Sequence, residues 1–300
     1  MDDHIERAKL TLKKNGKSFY WAGKFLPTIY IDRASELYQF CRILDDIADS
    51  GEDASLKSLK AVKLNLKKKN NIGFNKNDDL TYPDFFNLYS KKAAVDLIDG
   101  LILDQTTVLF KEENELIRYS YHVAGTVGLM MCDALKCYNK NAYLFAVDLG
   151  IAMQLTNIAR DVLEDAKMGR RYIPGSWINN ISPHEMTQAV EDKNTEILMI
   201  VSVGIKKILN IAEKYYYSGT QGLIFLPIKT RIAISIASGV YRQIGIQLKL
   251  KKYNWYDGRQ VTSKTTKAKV TIYKIIEEVF RNKIQKEHDP ELHKFLKGLL

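Results

Sequence analysis

Two polar stripes, each set into an otherwise apolar helical pattern, constrain this 300-residue chain more than any other feature. In DLGIAMQLTNIARDVLEDAKMGRRYIP, from Asp148 to Pro174, the side chains of Gln154, Asn157, Asp161 and Asp165 fall within about 80° of one another at 3.6 residues per turn. Leu155, Ile158, Ala159 and Val162 fall largely on other sides. YQFCRILDDIAD repeats the arrangement, with Tyr38, Arg42, Asp45 and Asp49 on one face and Phe40, Ile43, Leu44 and Ile47 mainly opposite. Both stretches are therefore expected as helices that bury one side and present carboxylates on the other.

A single DxxxD on a helix is ordinarily a solvated face, because exposed carboxylates are the usual case. Two of them, each with its aspartates one turn apart, allow a different chemistry. One turn rises about 5.4 Å and paired catalytic metals stand about 3.5–4 Å apart, so facing pairs can hold a cluster of divalent ions. Mg²⁺ takes oxygen ligands, commonly one or two carboxylates completed by substrate phosphates and water. The expectation is a diphosphate-handling site between two helices.

The rest of the chain supports an all-α reading. Amphipathic patterns run over 2–15, a second element opens at Lys17-Ser18-Phe19 and ends at Pro27, and helices are expected over 31–50, 55–69, 85–107, 112–137, 177–194, 195–218, 223–253 and 261–283. Ser182-Pro183-His184-Glu185 reads as an N-cap with Pro at the first helical position. The Asn- and Lys-rich segment ending at Tyr82 reads as a surface loop, and 289–299 as a short basic tail. Sustained period-two alternation, nucleotide-binding glycine fingerprints and 20–50-residue repeats are all missing from the sequence. The expectation is one all-α domain over 1–300, a helical bundle with a central cavity.

Lys17 and Ser18 open a helix where free N–H groups suit phosphate, although Ser18 as a plain cap and Phe19 as core is an equal reading. Ala124, Gly125 and Gly128 leave room beside their helix for a neighbouring helix or an alkyl chain. His122 has no second ligand at metal-binding spacing and reads as structural. Net charge is +10, which favours anionic partners, but the scattered aromatics and lack of an Arg-rich tract point away from nucleic acid. Cys41, Cys132 and Cys137 form no CxxC and read as buried thiols of a reducing compartment. MDDHIERAKL has no apolar core of a secretory signal. The apolar run from Leu223 to Leu250 is interrupted by Lys229, Arg231 and Arg242, and reads as a buried helix or interfacial surface rather than a span.

The residues together carry a family resemblance. YQFCRILDDIAD and LTNIARDVLEDAKMGRRYIP resemble the two aspartate-rich signatures of the squalene/phytoene synthases, most of all the bacterial phytoene synthases. KSF at 17–19, YSYHVAGTVG at 119–128 and YRQIG from Tyr241 extend the likeness over nearly the whole chain. The resemblance implies an isoprenoid-synthase fold and a Mg²⁺-dependent head-to-head condensation of two allylic prenyl diphosphates through a cyclopropylcarbinyl diphosphate, with Mn²⁺ as a substitute metal. It implies Asp45, Asp49, Asp161 and Asp165 as ligands of the metal–diphosphate, Arg42 as a phosphate contact, and Tyr38 as a catalytic neighbour. Lys17, Ser18, Tyr119, Gln154, Asn157, Arg160, Arg170, Tyr172 and Tyr253 match polar positions around the diphosphates, and Phe19, Val123, Val127, Gly128 and Gly150 match the prenyl channel. Where some members have His before the KSF stretch, this chain has Asn15, which leaves one phosphate contact unassigned.

Two C20 substrates giving phytoene is the leading expectation, without NADPH. Squalene, dehydrosqualene or presqualene diphosphate synthesis from two C15 substrates is the alternative, and a non-catalytic prenyl-lipid-binding scaffold a third. No covalent intermediate on cysteine is expected, and no protein partner is inferable. The product is a hydrocarbon, so a cytoplasmic protein associating peripherally with the inner face of the membrane is expected, with Leu223–Leu250 contributing. Replacing Asp161 by Asn is expected to relieve repulsion among like charges and to leave stability intact.

Overall fold

A computed structural model describes residues 2–49, 53–67, 83–282 and 284–300. The loop expected up to Tyr82, the helix end at 68–69 and the break at Gly51 lie outside the described residues. Helices α1 (Asp2–Asn15), α2 (Lys17–Gly23), α3 (Thr28–Asp49), α4 (Asp53–Lys67) and α5 (Leu88–Leu103) form the first part of the chain. They are followed by α6 (Glu113–Ser120), α7 (Thr126–Ala134), α8 (Lys140–Arg160), α9 (Val162–Lys167) and α10 (Pro183–Glu191). Long α11 (Thr195–Gln221) and α12 (Ile228–Leu250), then α13 (Lys264–Val279) and a 3₁₀ turn at Pro290–Leu296, complete the fold. Among the described residues, extended backbone pairs only at an isolated parallel bridge between Leu109 and Arg171.

Local chemistry sets the boundaries. Ser182 caps α10 through the expected capping box with Glu185. Helix α5 starts three residues later than expected because Asn87 accepts from the Tyr89 and Ser90 amides at 2.7 and 3.1 Å. Asn87 is held there by Asp133, which accepts from its side-chain amide at 2.6 Å.

Two expected helices are interrupted. The 112–137 stretch is split by a π-helical turn at Tyr121–Gly125, where Thr126 donates to the His122 carbonyl at 2.7 Å. The 148–174 stretch breaks at Asp161, whose φ and ψ of −101° and 15° are not helical, and ends at Gly169 with φ +74°. Beyond it, the Arg171 amide donates to Val108 at 2.8 Å, the Phe110 amide to Arg171 at 3.1 Å and the Gly175 amide to Phe110 at 2.8 Å. Pairing with a segment some 60 positions earlier overrides the local helical pattern.

The main core surrounds α8 and α11, with Ile151, Leu155, Val201, Ile205 and Ile208 fully enclosed. A second cluster joins α3, α4 and α5, and Val123 and Leu129 pack against both. Where α7 and α8 cross, a Cβ on Gly128 would lie 2.1 Å from the Ala146 oxygen and one on Gly150 2.2 Å from the Ala124 oxygen. The small residues thus permit a backbone-to-backbone helix crossing.

Of the two readings of the 223–250 run, the buried helix is the one observed, and the helix expected over 223–253 is shorter at both ends. Helix α12 begins at Ile228 and turns Ala233, Ile236, Ala237, Val240 and Ile244 into the interior. Its Arg231 is buried against the fully buried Glu278 at 3.4 Å. By length and composition α8 could cross a membrane, but most of it is buried inside this fold.

Candidate active site

A cavity of about 500 Å³ opens among α2, α3, α7, α8 and α12, within the usual range for small-molecule sites. Its wall follows α8 from Ala142 to Arg160, a rise of about 27 Å. The lining is polar at one end, where Tyr38, Arg42 and Asp45 of α3 meet Gln154, Asn157 and Arg160 of α8. Elsewhere it is apolar, and Phe19, Val123, Val127, Gly128 and Gly150 all contribute. The two stripes therefore meet at one end of an apolar chamber, where Asp45 lines the wall and Asp49, Asp161 and Asp165 do not.

The carboxylates around this end are unequal. Burial pushes Asp45 up to about 7, with Asp49, Asp46 and Asp104 adding to the rise and Arg42 opposing it. Burial likewise pushes Asp165 up to about 7, helped by Asp161 and Asp104 and opposed by Arg170. Asp49 is exposed. Asp161 is clamped between two guanidiniums: Arg160 donates from Nε at 2.7 Å, and Arg259 from Nε and Nη2 at 2.9 and 3.2 Å. Replacing Asp161 by Asn would therefore relieve its repulsion with Asp165 and at the same time remove its two cationic partners. Arg42 forms an ion pair with Asp46, one position from the stripe.

Asp104, which no sequence pattern marked, is within electrostatic reach of both Asp45 and Asp165. Burial raises its own pKa. Tyr119 donates to its Oδ2 at 2.7 Å and Tyr172 to its Oδ1 at 3.0 Å. The two rings stack at 4.9 Å, and Phe110 meets each edge-on at 5.5 Å. The two tyrosine hydroxyls are thus directed at Asp104, and neither ring lines the cavity. Arg170 reaches the Asp104 carbonyl at 3.5 Å and lies in the field of Asp104 and Asp49. Its neighbour Arg171 is structural, donating to the Ile181 and Phe110 carbonyls at 2.9 and 3.1 Å.

An aromatic group faces this charge. Phe19 stacks on Tyr241 at 5.3 Å and leans on Tyr38 at 6.4 Å. Tyr241 donates to Asn157 Oδ1, whose amide in turn donates to Gln154 at 3.1 Å. Burial pushes the Tyr38 hydroxyl up to about 12, keeping it protonated. Tyr241 and Arg259 are further site residues that sequence reasoning did not single out: the first opens the YRQIG stretch, and the second follows Gly258 in a loop without periodicity.

Other expected residues fall further away. Lys17 is exposed in the first turn of α2, and neither it nor Ser18 lines the cavity; α2 has Gly16, not Ser18, at its N-cap. Tyr253 has φ +59°, follows the end of α12 and packs against the main core rather than the cavity. His122 is structural as expected, its Nδ1 lying 2.9 Å from the Asp96 carbonyl.

The donor set suits Mg²⁺. Asp45, Asp49, Asp104, Asp161 and Asp165 offer oxygen alone; burial first, and then neighbouring carboxylates, raise Asp45 and Asp165, with Arg42 and Arg170 opposing the rise. Among the described residues, no three of these carboxylates bring oxygens within 4.8 Å of one another. That spacing fits ions completed by substrate phosphate and water better than a closed protein cage.

The sequence model of the squalene/phytoene synthases matches residues 12–267, and the chain belongs to this family, whose members are head-to-head prenyltransferases. The 15-cis-phytoene synthase of Pantoea ananas is 30% identical over 281 residues, covering 89% of each chain. That of Enterobacter agglomerans is 31% identical over 268 residues, covering 84% of this chain and 88% of its own. A crystal structure of a dehydrosqualene synthase with bound ligand has a TM-score of 0.75 and 26% identity over 91% of this chain and 95% of that one. The fold is that of the isoprenoid synthases.

Proposed function

We propose that this chain is a phytoene synthase, joining two geranylgeranyl diphosphates head to head through prephytoene diphosphate, and that residues 1–300 work as one domain. The observation that carries the reading is the meeting of Tyr38, Arg42 and Asp45 with Gln154, Asn157 and Arg160 at one end of a long apolar chamber, with further carboxylates within electrostatic reach of Asp45. The C20 substrate is favoured by the relatives named phytoene synthase, which match this chain over most of its length.

In this reading Asp45, Asp49, Asp161 and Asp165 hold Mg²⁺ against the diphosphates, and Asp104 is oriented toward them by Tyr119 and Tyr172. A divalent metal held there would supply neutralisation of the diphosphate leaving group's charge. Arg42, Arg160, Arg170 and Arg259 supply fixed positive charge around the same phosphates. Such preorganised charge acts most strongly where water is excluded. Phe19, Tyr38 and Tyr241 turn ring faces toward the developing carbocation, while Gln154 and Asn157 are held by Tyr241 beside it. Val123, Val127, Gly128 and Gly150 wall the prenyl chain and keep water from the cation.

A hydrocarbon product needs a membrane to receive it. The apolar face suited to peripheral contact is on α13, where Ile272, Ile276, Val279 and Phe280 are all more than half exposed, rather than on buried α12. Net charge of +10 complements anionic lipid.

The test is product analysis of purified protein with Mg²⁺ and either C20 or C15 diphosphate, with and without NADPH. Phytoene from the C20 substrate without reductant is expected. Turnover of the C15 substrate alone would move the chain to dehydrosqualene or squalene synthesis, the reading favoured by the solved dehydrosqualene synthase. No turnover of either would leave a prenyl-lipid-binding scaffold.

A further inference from the structure

Beside the opposite stretch of α8 from the aspartate mouth lies a second cluster of titratable groups. Asp148 is completely buried. His288 Nε2 lies 2.9 Å from its Oδ2 and His293 Nε2 lies 2.6 Å from its Oδ1, while Ser218 donates to Oδ2 at 2.5 Å. The two imidazoles are about nine-tenths buried, and their ring centroids are 4.3 Å apart. One carboxylate oxygen and the two ring nitrogens lie within 4.8 Å of one another.

Charge balance makes this cluster unusual. Among the described residues no Lys or Arg forms an ion pair with Asp148; its recorded ion-pair partners are the two histidines. A buried carboxylate without compensation is costly, so the cluster needs a cation, either a proton on an imidazole or a metal. Two imidazole nitrogens and one carboxylate form the three-protein-ligand set used by zinc, with a fourth position for water or a hydroxyl. His288 and His293 are separated by four residues, inside the spacing common for paired zinc histidines.

We propose that Asp148, His288 and His293 form a binding site for a late first-row divalent cation, Zn²⁺ above all, which fastens the C-terminal segment to the core. The neutral imidazoles bind through Nε2 and carry their remaining proton on Nδ1, and Ser218 orients the carboxylate. The segment is already close: Tyr215 donates to the Leu292 carbonyl at 2.6 Å and Arg118 to that of Phe295 at 2.9 Å. His288 also packs edge-on against Phe145 at 5.3 Å, a residue of the cavity wall. The clamp therefore stands directly behind the chamber, and it is independent of which prenyl diphosphate the chamber takes.

The test titrates chelator-stripped full-length protein with Zn²⁺ against a chromophoric competitor, in excess Mg²⁺ to occupy the aspartate mouth. One equivalent is expected to bind and to raise the melting temperature, with affinity falling at least about 100-fold in H288Q/H293Q and unchanged in D45N. Zinc X-ray absorption of the loaded wild-type protein is expected to show two imidazoles, and this measurement does not depend on the variant folding. No stoichiometric binding, equal binding by the double variant, or an oxygen-only zinc environment would each overturn the proposal and leave a hydrogen-bonded clasp.

Discussion

Helix α8 carries acidic chemistry at its middle and just past its C-terminal end, and the two places have been treated in opposite ways. At its middle, Asp148 is the more deeply buried, yet each of its oxygens has a partner in Ser218, His288 or His293. Beyond its end, Asp165 shares a small volume with Asp161 and Asp104, and its pKa is driven up by burial and by those neighbours. Burial alone therefore does not distinguish a structural carboxylate from a functional one. What distinguishes them is whether the surrounding chain supplies the counter-charge or leaves it to a ligand.

The sharpest way to break this contrast is to neutralise each site. D165N or D45N should lower turnover by at least about 10³-fold, the loss of several kcal/mol of transition-state stabilisation, while the melting temperature of the metal-free protein stays level or rises. A large fall in melting temperature would make these aspartates structural. D148A should do the reverse: stability drops by about 3 kcal/mol because Ser218 and two imidazoles lose their acceptor, with activity per folded molecule retained. Denaturant titration alongside single-turnover assays separates the two effects.

A smaller effect lies in pH. Asp45 and Asp165 bind protons more tightly folded, at about 7, than unfolded, near the ordinary value of 3.8. The folded state therefore holds more protons between those limits, and their contribution makes the metal-free protein lose stability as pH rises from about 4 to 7. Thermal melts in chelator should show this loss of stability between pH 5 and 8, absent in D45N/D165N. A slope of the opposite sign in the wild type that the double variant leaves unchanged would refute the assignment.

The fold and half of the site were legible because they rest on short-range periodicity. The stripes at 38–49 and 154–165 repeat at helical spacing, and the Ser182 cap is written in four consecutive residues. Asp104 carried no such mark: a lone aspartate after an apolar helix acquires meaning only when Tyr119 and Tyr172 reach it from 15 and 68 positions away. The kink at Asp161, the pairing of Arg171 with Val108 and Phe110, and the union of Asp148 with His293 have the same origin. Each depends on tertiary contacts that a local pattern does not encode. Apolar content left the 223–250 run open between a buried helix and an interfacial surface, and tertiary packing of α12 decides for the first.

The backbone crossing of α7 and α8 has an evolutionary consequence. Where Gly128 and Gly150 press against main-chain oxygens, the chamber is bounded by peptide rather than by side chains, and mutation has little to exchange there without parting the helices. Variation in product length among descendants of such a protein is thereby steered to the opposite walls, to positions such as Leu26, Ile234 and Ala237. One face of the mould is fixed, and diversification can proceed only by recutting the other.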